Sequence, residues 1–213
     1  MDIWKLETQQ RGLLSVSNST PPLGKPPANY TEALYWKISE KKSRLIAANL
    51  LSIPLAGIFW FGFYFIIRLS GKFPEYVFDD PKQSLILLVG FAITIIVHEL
   101  VHGLAMQFFG AQAKYGFNWK GLMVYATAPG YAFQRNQYLV VALAPLVSLS
   151  ALACLGILIQ AGASSVWLFA ILGTLNGGAA IGDLWITSVV LRYPSSAYVI
   201  DERDGMRIFL PTD

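Results

Sequence analysis

The sequence predicts an all-α integral membrane protein: four transmembrane helices carrying short cytoplasmic β-hairpins, one after the second span and one in the C-terminal tail. Three observations predict it. Of 213 residues, 54% are hydrophobic and only 14% are charged, where soluble domains carry roughly 25% charged residues. Four apolar stretches each reach the length of about 20 residues that a helix needs to cross a hydrocarbon core. Lys and Arg gather outside those stretches, mostly on one side. This composition excludes an ordinary cytosolic globule, a disordered chain and a coiled coil. The single cysteine, Cys154, excludes a disulfide framework or a cysteine-built zinc site. A net charge of +3 gives no argument for a nucleic-acid partner.

Residues 1–45 read as a cytoplasmic N-terminal segment. Pro21-Pro22 and Pro26-Pro27 mark an extended tether. Thr31 is placed to cap a short interfacial helix running to about Arg44, with Leu34, Tyr35, Ile38 and Leu45 along one side. Residues 46–192 form the membrane domain. Its spans run over Ile46–Ile67, about Ser84–Gly110, about Tyr138–Ile159 and about Ser165–Leu191. Pro54 and Pro145 sit inside the first and third, where lipid-embedded bundles tolerate kinks.

Between spans two and three, Tyr115, Phe117 and Trp119 alternate with other residues, Lys120-Gly121 breaks the run, and Leu122–Thr127 follows. This pattern predicts a hairpin at the membrane surface, either with an edge that an extended peptide can join or as an interfacial aromatic anchor with no substrate role. Residues 193–213 predict a second hairpin, Ala197–Ile200 and Met206–Leu210 around the tight-turn pair Asp204-Gly205. Seven Lys and Arg precede the first span, and three each follow spans one, two and four. The excess predicts a cytoplasmic N-terminus, middle loop and C-terminus in a bacterial plasma membrane. The N-terminus lacks the pattern of a signal peptide.

The chemistry concentrates in spans two and four. His98-Glu99-Leu100-Val101-His102 holds the only two histidines of the chain. On a helix, positions i and i+4 share one face, so both imidazoles can reach one metal ion. Glu99 lies about 100° round the same turn, at the rim, where it can take a proton from a water held there. Ionisable groups at this depth are costly and usually functional. A catalytic zinc site normally takes three protein ligands. Among acids within the spans, only Asp183 remains besides Glu99. Counted from the outer ends of their spans, His102 and Asp183 lie level. Asn176 stands seven residues before Asp183, nearly two turns, and is a candidate for binding substrate or an oxyanion; an interhelical hydrogen bond is the competing role. Gly173, Gly177, Gly178 and Gly182 predict close helix approach on span four, and Gly103 predicts it on span two.

These residues resemble the intramembrane zinc metalloproteases of the site-2 protease type. More closely, the stretch from about Ser84 to Leu210 is similar to a family of small bacterial membrane proteins described as zincin peptidases. The HExxH helix, Ala144-Pro145, and Asn176 leading to Asp183 carry the first resemblance. Gly182-Asp183-Leu184-Trp185 through Leu191-Arg192-Tyr193-Pro194 carries the second. The resemblance implies one Zn2+ ion held by His98, His102 and Asp183, Glu99 as catalytic acid/base, and a peptide or membrane-protein substrate. The chain departs from the site-2 pattern at Gly177, Gly178 and Leu184, which stand where prolines and a glycine are usual.

The leading expectation is a membrane-embedded zinc metalloendopeptidase. One rival is a membrane metal-binding or assembly protein that holds zinc without turnover. Another is a metal or proton transporter, although the repeated halves common in transporters are missing. Oligomeric state, substrate and pathway are not written in the chain.

Overall fold

The computed structural model describes residues 24–72, 80–119, 123–159, 162–203 and 205–212. The Pro21-Pro22 tether, the Lys120-Gly121 break and Asp204 of the C-terminal turn lie outside the described residues. The described residues form, in order, β1 (Tyr30–Lys37), α1 (Lys42–Leu69), α2 (Pro81–Phe108), β2 (Lys114–Asn118), β3 (Met123–Thr127), β4 (Ala132–Gln134), α3 (Arg135–Ile159), α4 (Ala163–Ala179), α5 (Ile181–Val190), β5 (Tyr198–Glu202) and β6 (Gly205–Pro211).

Helices α1, α2 and α3 are each long and apolar enough to cross a membrane, and α4 with α5 makes a further apolar pair bent by 42°. Large apolar side chains such as Ile53, Ile58, Phe61, Leu88, Ile93 and Val147 are exposed on α1, α2 and α3. A monomer in water rarely tolerates so extensive an apolar surface. Helix α2 begins earlier than expected because Asp80 caps it, its carboxylate accepting from the Lys82 amide at 2.9 Å, and Pro81 fills the first turn.

The fourth apolar stretch is not one straight helix. It breaks at Ala180, which closes α4 and opens α5. The break puts Asp183 in the first turn of α5, where unpaired backbone amides favour a carboxylate. Glycines of α4 receive α1: a Cβ on Gly177 would strike the Phe59 ring, and one on Gly178 would meet Ala56. Gly103 admits the Tyr115 hydroxyl of β2 rather than another helix. Gly182 meets nothing within 4 Å.

Thr31 to Arg44 is not the expected interfacial helix. Residues 30–37 form a strand paired antiparallel with β6, Trp36 opposite Met206 and Leu34 opposite Ile208. Leu34 and Trp36 turn inward while Tyr35 between them is exposed, a period of two that suits a strand. Aromatic and threonine side chains at 30, 31, 35 and 36 also favour extended backbone. The expected tail hairpin is present as β5–β6. It is the centre of a four-stranded sheet ordered β1-β6-β5-β4. The other hairpin, β2–β3, is a separate two-stranded sheet with Tyr115 opposite Ala126.

The inner face of the larger sheet carries Phe133, Val199, Met206 and Ile208, all fully buried. It packs on Met106 of α2, Tyr138 and Val141 of α3 and Val190 of α5 in one core cluster. The sheet therefore covers the helix ends nearest the His-Glu-His segment.

Candidate metal and catalytic centre

His98, Glu99 and His102 occupy one and a half turns of α2, with the two imidazole centroids 5.0 Å apart. Each ring is held through Nδ1. His102 Nδ1 lies 2.9 Å from the Val141 carbonyl oxygen of α3. A carbonyl can only accept, so Nδ1 carries the hydrogen. His98 Nδ1 lies 2.9 Å from Asn176 Oδ1 of α4, an acceptor that fixes the same tautomer. Both Nε2 atoms are then left for a ligand, the usual arrangement when an outer partner orients a metal-binding imidazole.

Both Nε2 atoms converge on one carboxylate. Asp183 Oδ2 is 3.1 Å from His98 Nε2, and Asp183 Oδ1 is 3.4 Å from His102 Nε2. With the tautomers above, these are acceptor atoms facing acceptor atoms, and a cation between them relieves the repulsion. Two ligand atoms each about 2.1 Å from a tetrahedral zinc ion stand roughly 3.4 Å apart. The spacing and the nitrogen-and-oxygen donor set therefore fit one zinc ion with a coordination position left over.

Glu99 lies beside this triad. Its Oε2 accepts from the Ala126 amide of β3 at 2.8 Å. Donor atoms of His98, Glu99 and His102 all lie within 4.8 Å of one another, so this trio is a second set able to hold a metal. The structure thus brings together all five residues singled out in the sequence. Asn176 is engaged with His98; its Nδ2 is buried without a hydrogen-bond partner among the described residues.

A cavity of about 250 Å³ opens beside these groups. Phe91 and Ile95 of α2 and Leu175 and Ala179 of α4 line it together with His98, Glu99, Asn176 and Asp183. A dry apolar cavity of roughly 150 Å³ already holds a benzene ring, so this one has room for a large apolar side chain.

One acid near the centre was missed from the sequence. Asp201 of β5 accepts from the Tyr138 hydroxyl at 2.9 Å, and its other oxygen, Oδ2, is sealed from solvent. In the run Asp201-Glu202-Arg203-Asp204 it looks like turn polarity. Strand alternation after Ala197 and Val199, both buried, is the signal that turns it inward. Burial lifts its carboxyl from 3.8 to about 6, although the Thr127 and Tyr138 hydroxyls pull it down.

Between those two values the folded chain holds a proton that the unfolded chain has released, so stability falls as pH rises through this window. The upper bound is about 3 kcal/mol at pH 7, at 1.36 kcal/mol per unit. In zinc-free protein, Asp201→Asn is expected to remove this component. Thermal unfolding in detergent at pH 4, 5, 6 and 7 checks it: wild type should lose several degrees relative to the variant on raising the pH, and parallel curves would contradict it.

The family model described as "Putative zincin peptidase" matches residues 91–198, half of the chain, and this stretch includes His98, Glu99, His102, Asn176 and Asp183. No curated protein and no solved structure matches the chain. On that match and the metal-binding geometry within it, the chain belongs to the zincin peptidase family.

Proposed function

We propose that this protein is a membrane-embedded zinc metalloprotease that hydrolyses peptide bonds within or next to the bilayer. The observation that carries this reading is the convergence of both imidazole Nε2 atoms on Asp183, with Glu99 on the adjoining turn and an apolar cavity alongside. His98, His102 and Asp183 would hold the ion and Glu99 would act as acid/base. A bound zinc ion supplies Lewis acidity toward a carbonyl or a water.

The chain's own groups account for the rest. Glu99 takes a proton from the attacking water and returns it to the leaving amine, so protons balance over the cycle. The Ala126 amide holds Oε2 of Glu99 and keeps the carboxylate from swinging away. Val141 and Asn176 keep both imidazoles in the ligating tautomer.

Among the described residues β3 pairs with β2 on one side only, and the Ala126 amide on its other side points at Glu99. An extended peptide laid along that edge would pass over the centre, its backbone paired with the strand. A substrate helix must unwind there first, because its carbonyls are tied up in its own hydrogen bonds. Phe91, Ile95, Leu175 and Ala179 favour a large apolar side chain next to the cut bond. The exposed apolar faces of α1, α2 and α3 support a location in the bilayer.

Purified full-length protein in detergent should contain one zinc per chain and cut peptides bearing Leu or Phe beside the scissile bond. A strong chelator should stop the cutting and added zinc should restore it. One tightly held zinc with no product from a broad peptide library would favour a metal-binding or assembly role instead.

A further inference from the structure

We infer that Asp201 is a positioning residue of this centre, tying the C-terminal hairpin to the two elements that orient His102 and Glu99. This rests on the reading of His98, His102 and Asp183 as metal ligands. Asp201 lies outside the stretch matched by the family, and the hydrolytic scheme above gives it no part.

The geometry runs through two short paths. The first goes to α3. Tyr138, itself buried, donates its hydroxyl to Asp201 Oδ1 at 2.9 Å. Val141, three residues on and hence on the same side of α3, offers its carbonyl to His102 Nδ1 at 2.9 Å. The second goes to β3. Thr127 and the Ala128 amide face the Asp201 carboxylate, immediately after Ala126, whose amide holds Glu99. The same hairpin grips β3 again, where the Arg203 guanidinium stacks 4.4 Å from the centre of the Tyr125 ring.

A carboxylate is a poor choice for packing at this position. Its neighbours on the inner face are Val199, Met206 and Ile208. Thr127 Oγ1 and Asp201 Oδ2 are both buried and outside ordinary hydrogen-bond geometry. The carboxylate faces three donors, the Tyr138 and Thr127 hydroxyls and the Ala128 amide, and an asparagine offers them one oxygen fewer. The acid is explained better by what its contacts do for the centre: it holds α3, whose Val141 carbonyl orients His102, and β3, whose Ala126 amide orients Glu99.

The test uses the full chain in detergent and three proteins: wild type, Asp201→Asn and Tyr138→Phe. Zinc affinity is measured by competition with a fluorescent chelator, Co2+-substituted protein is examined by visible absorption, and thermal unfolding of the zinc-free protein is followed at pH 8. Asp201→Asn is expected to bind zinc roughly 10-fold more weakly, the lower end of what loss of a direct outer partner costs, while its zinc-free form unfolds no earlier than zinc-free wild type. Tyr138→Phe should weaken zinc in the same direction by a smaller factor, and both should change the cobalt bands.

Zinc affinity and cobalt bands matching wild type in both variants would overturn the inference and leave the ligand assignment standing. Weaker zinc accompanied by early unfolding of both zinc-free variants would also overturn it, by showing a structural role only. Failure of wild type to bind zinc would overturn the inference together with the ligand assignment.

Discussion

Glu99→Gln should leave zinc content unchanged and lower the rate of peptide hydrolysis by about 10² to 10⁴-fold, the range that a positioned acid/base typically contributes. Glutamine has the same shape, and its amide oxygen can still accept from the Ala126 amide, which now meets Glu99 Oε2 at 2.8 Å. The strand edge and the helix should therefore keep their spacing. His98 and His102 keep their own Nδ1 partners, Asn176 and Val141. What the substitution removes is the ability to take a proton from water and hand it on. The variant is then a substrate trap, and membrane proteins that accumulate beside it in cells but are shortened in wild type are candidate substrates. Full activity with glutamine at 99 would remove Glu99 from the mechanism. Loss of zinc would mean instead that Glu99 serves as a ligand in the trio it forms with the two histidines.

Much of this centre was legible because its chemistry is rare in an apolar chain. Two histidines four residues apart with an acid between them state a helical face, and Asp183 stands out as the one other acid in the spans. The spans were legible for the same reason: few charges interrupt them. What the sequence hid depended on partners far along the chain. Residues 30–37 carry apolar side chains that a short amphipathic helix would also use. Their pairing with β6, some 170 residues later, decides for a strand. The glycines of the last apolar stretch read as one continuous packing face. Three of them receive α1 and its neighbours, and the bend at Ala180 leaves Gly182 facing open space. That bend matters to the site, since it gives Asp183 a helix N-terminus to sit on. Asp201 was hidden by its charged neighbours, because a run of four polar residues next to a glycine looks like a solvated turn.

Asp183→Ala is the second large effect expected, and it separates the two ways in which this cluster can hold an ion. Alanine removes the carboxylate whose oxygens now stand 3.1 Å and 3.4 Å from the two imidazole Nε2 atoms. Two neutral imidazoles remain, without the one anionic donor that contacts both. Zinc affinity should fall at least about 100-fold, the upper end of what loss of an outer partner costs, and hydrolysis should fall with it. Zinc retained after dialysis against chelator, scored per chain by elemental analysis, measures this directly. The fold should survive, because α4 is fixed on α1 through Gly173, Gly177 and Gly178 rather than through Asp183. Asp183→Asn serves as the milder variant, keeping the shape while removing the charge. If the His98, Glu99 and His102 trio holds the ion instead, the pattern reverses: Asp183→Ala keeps its zinc and Glu99→Gln loses it. The two substitutions read together therefore assign the third ligand and the proton carrier at once, since one carboxylate cannot fill both places in the same turnover.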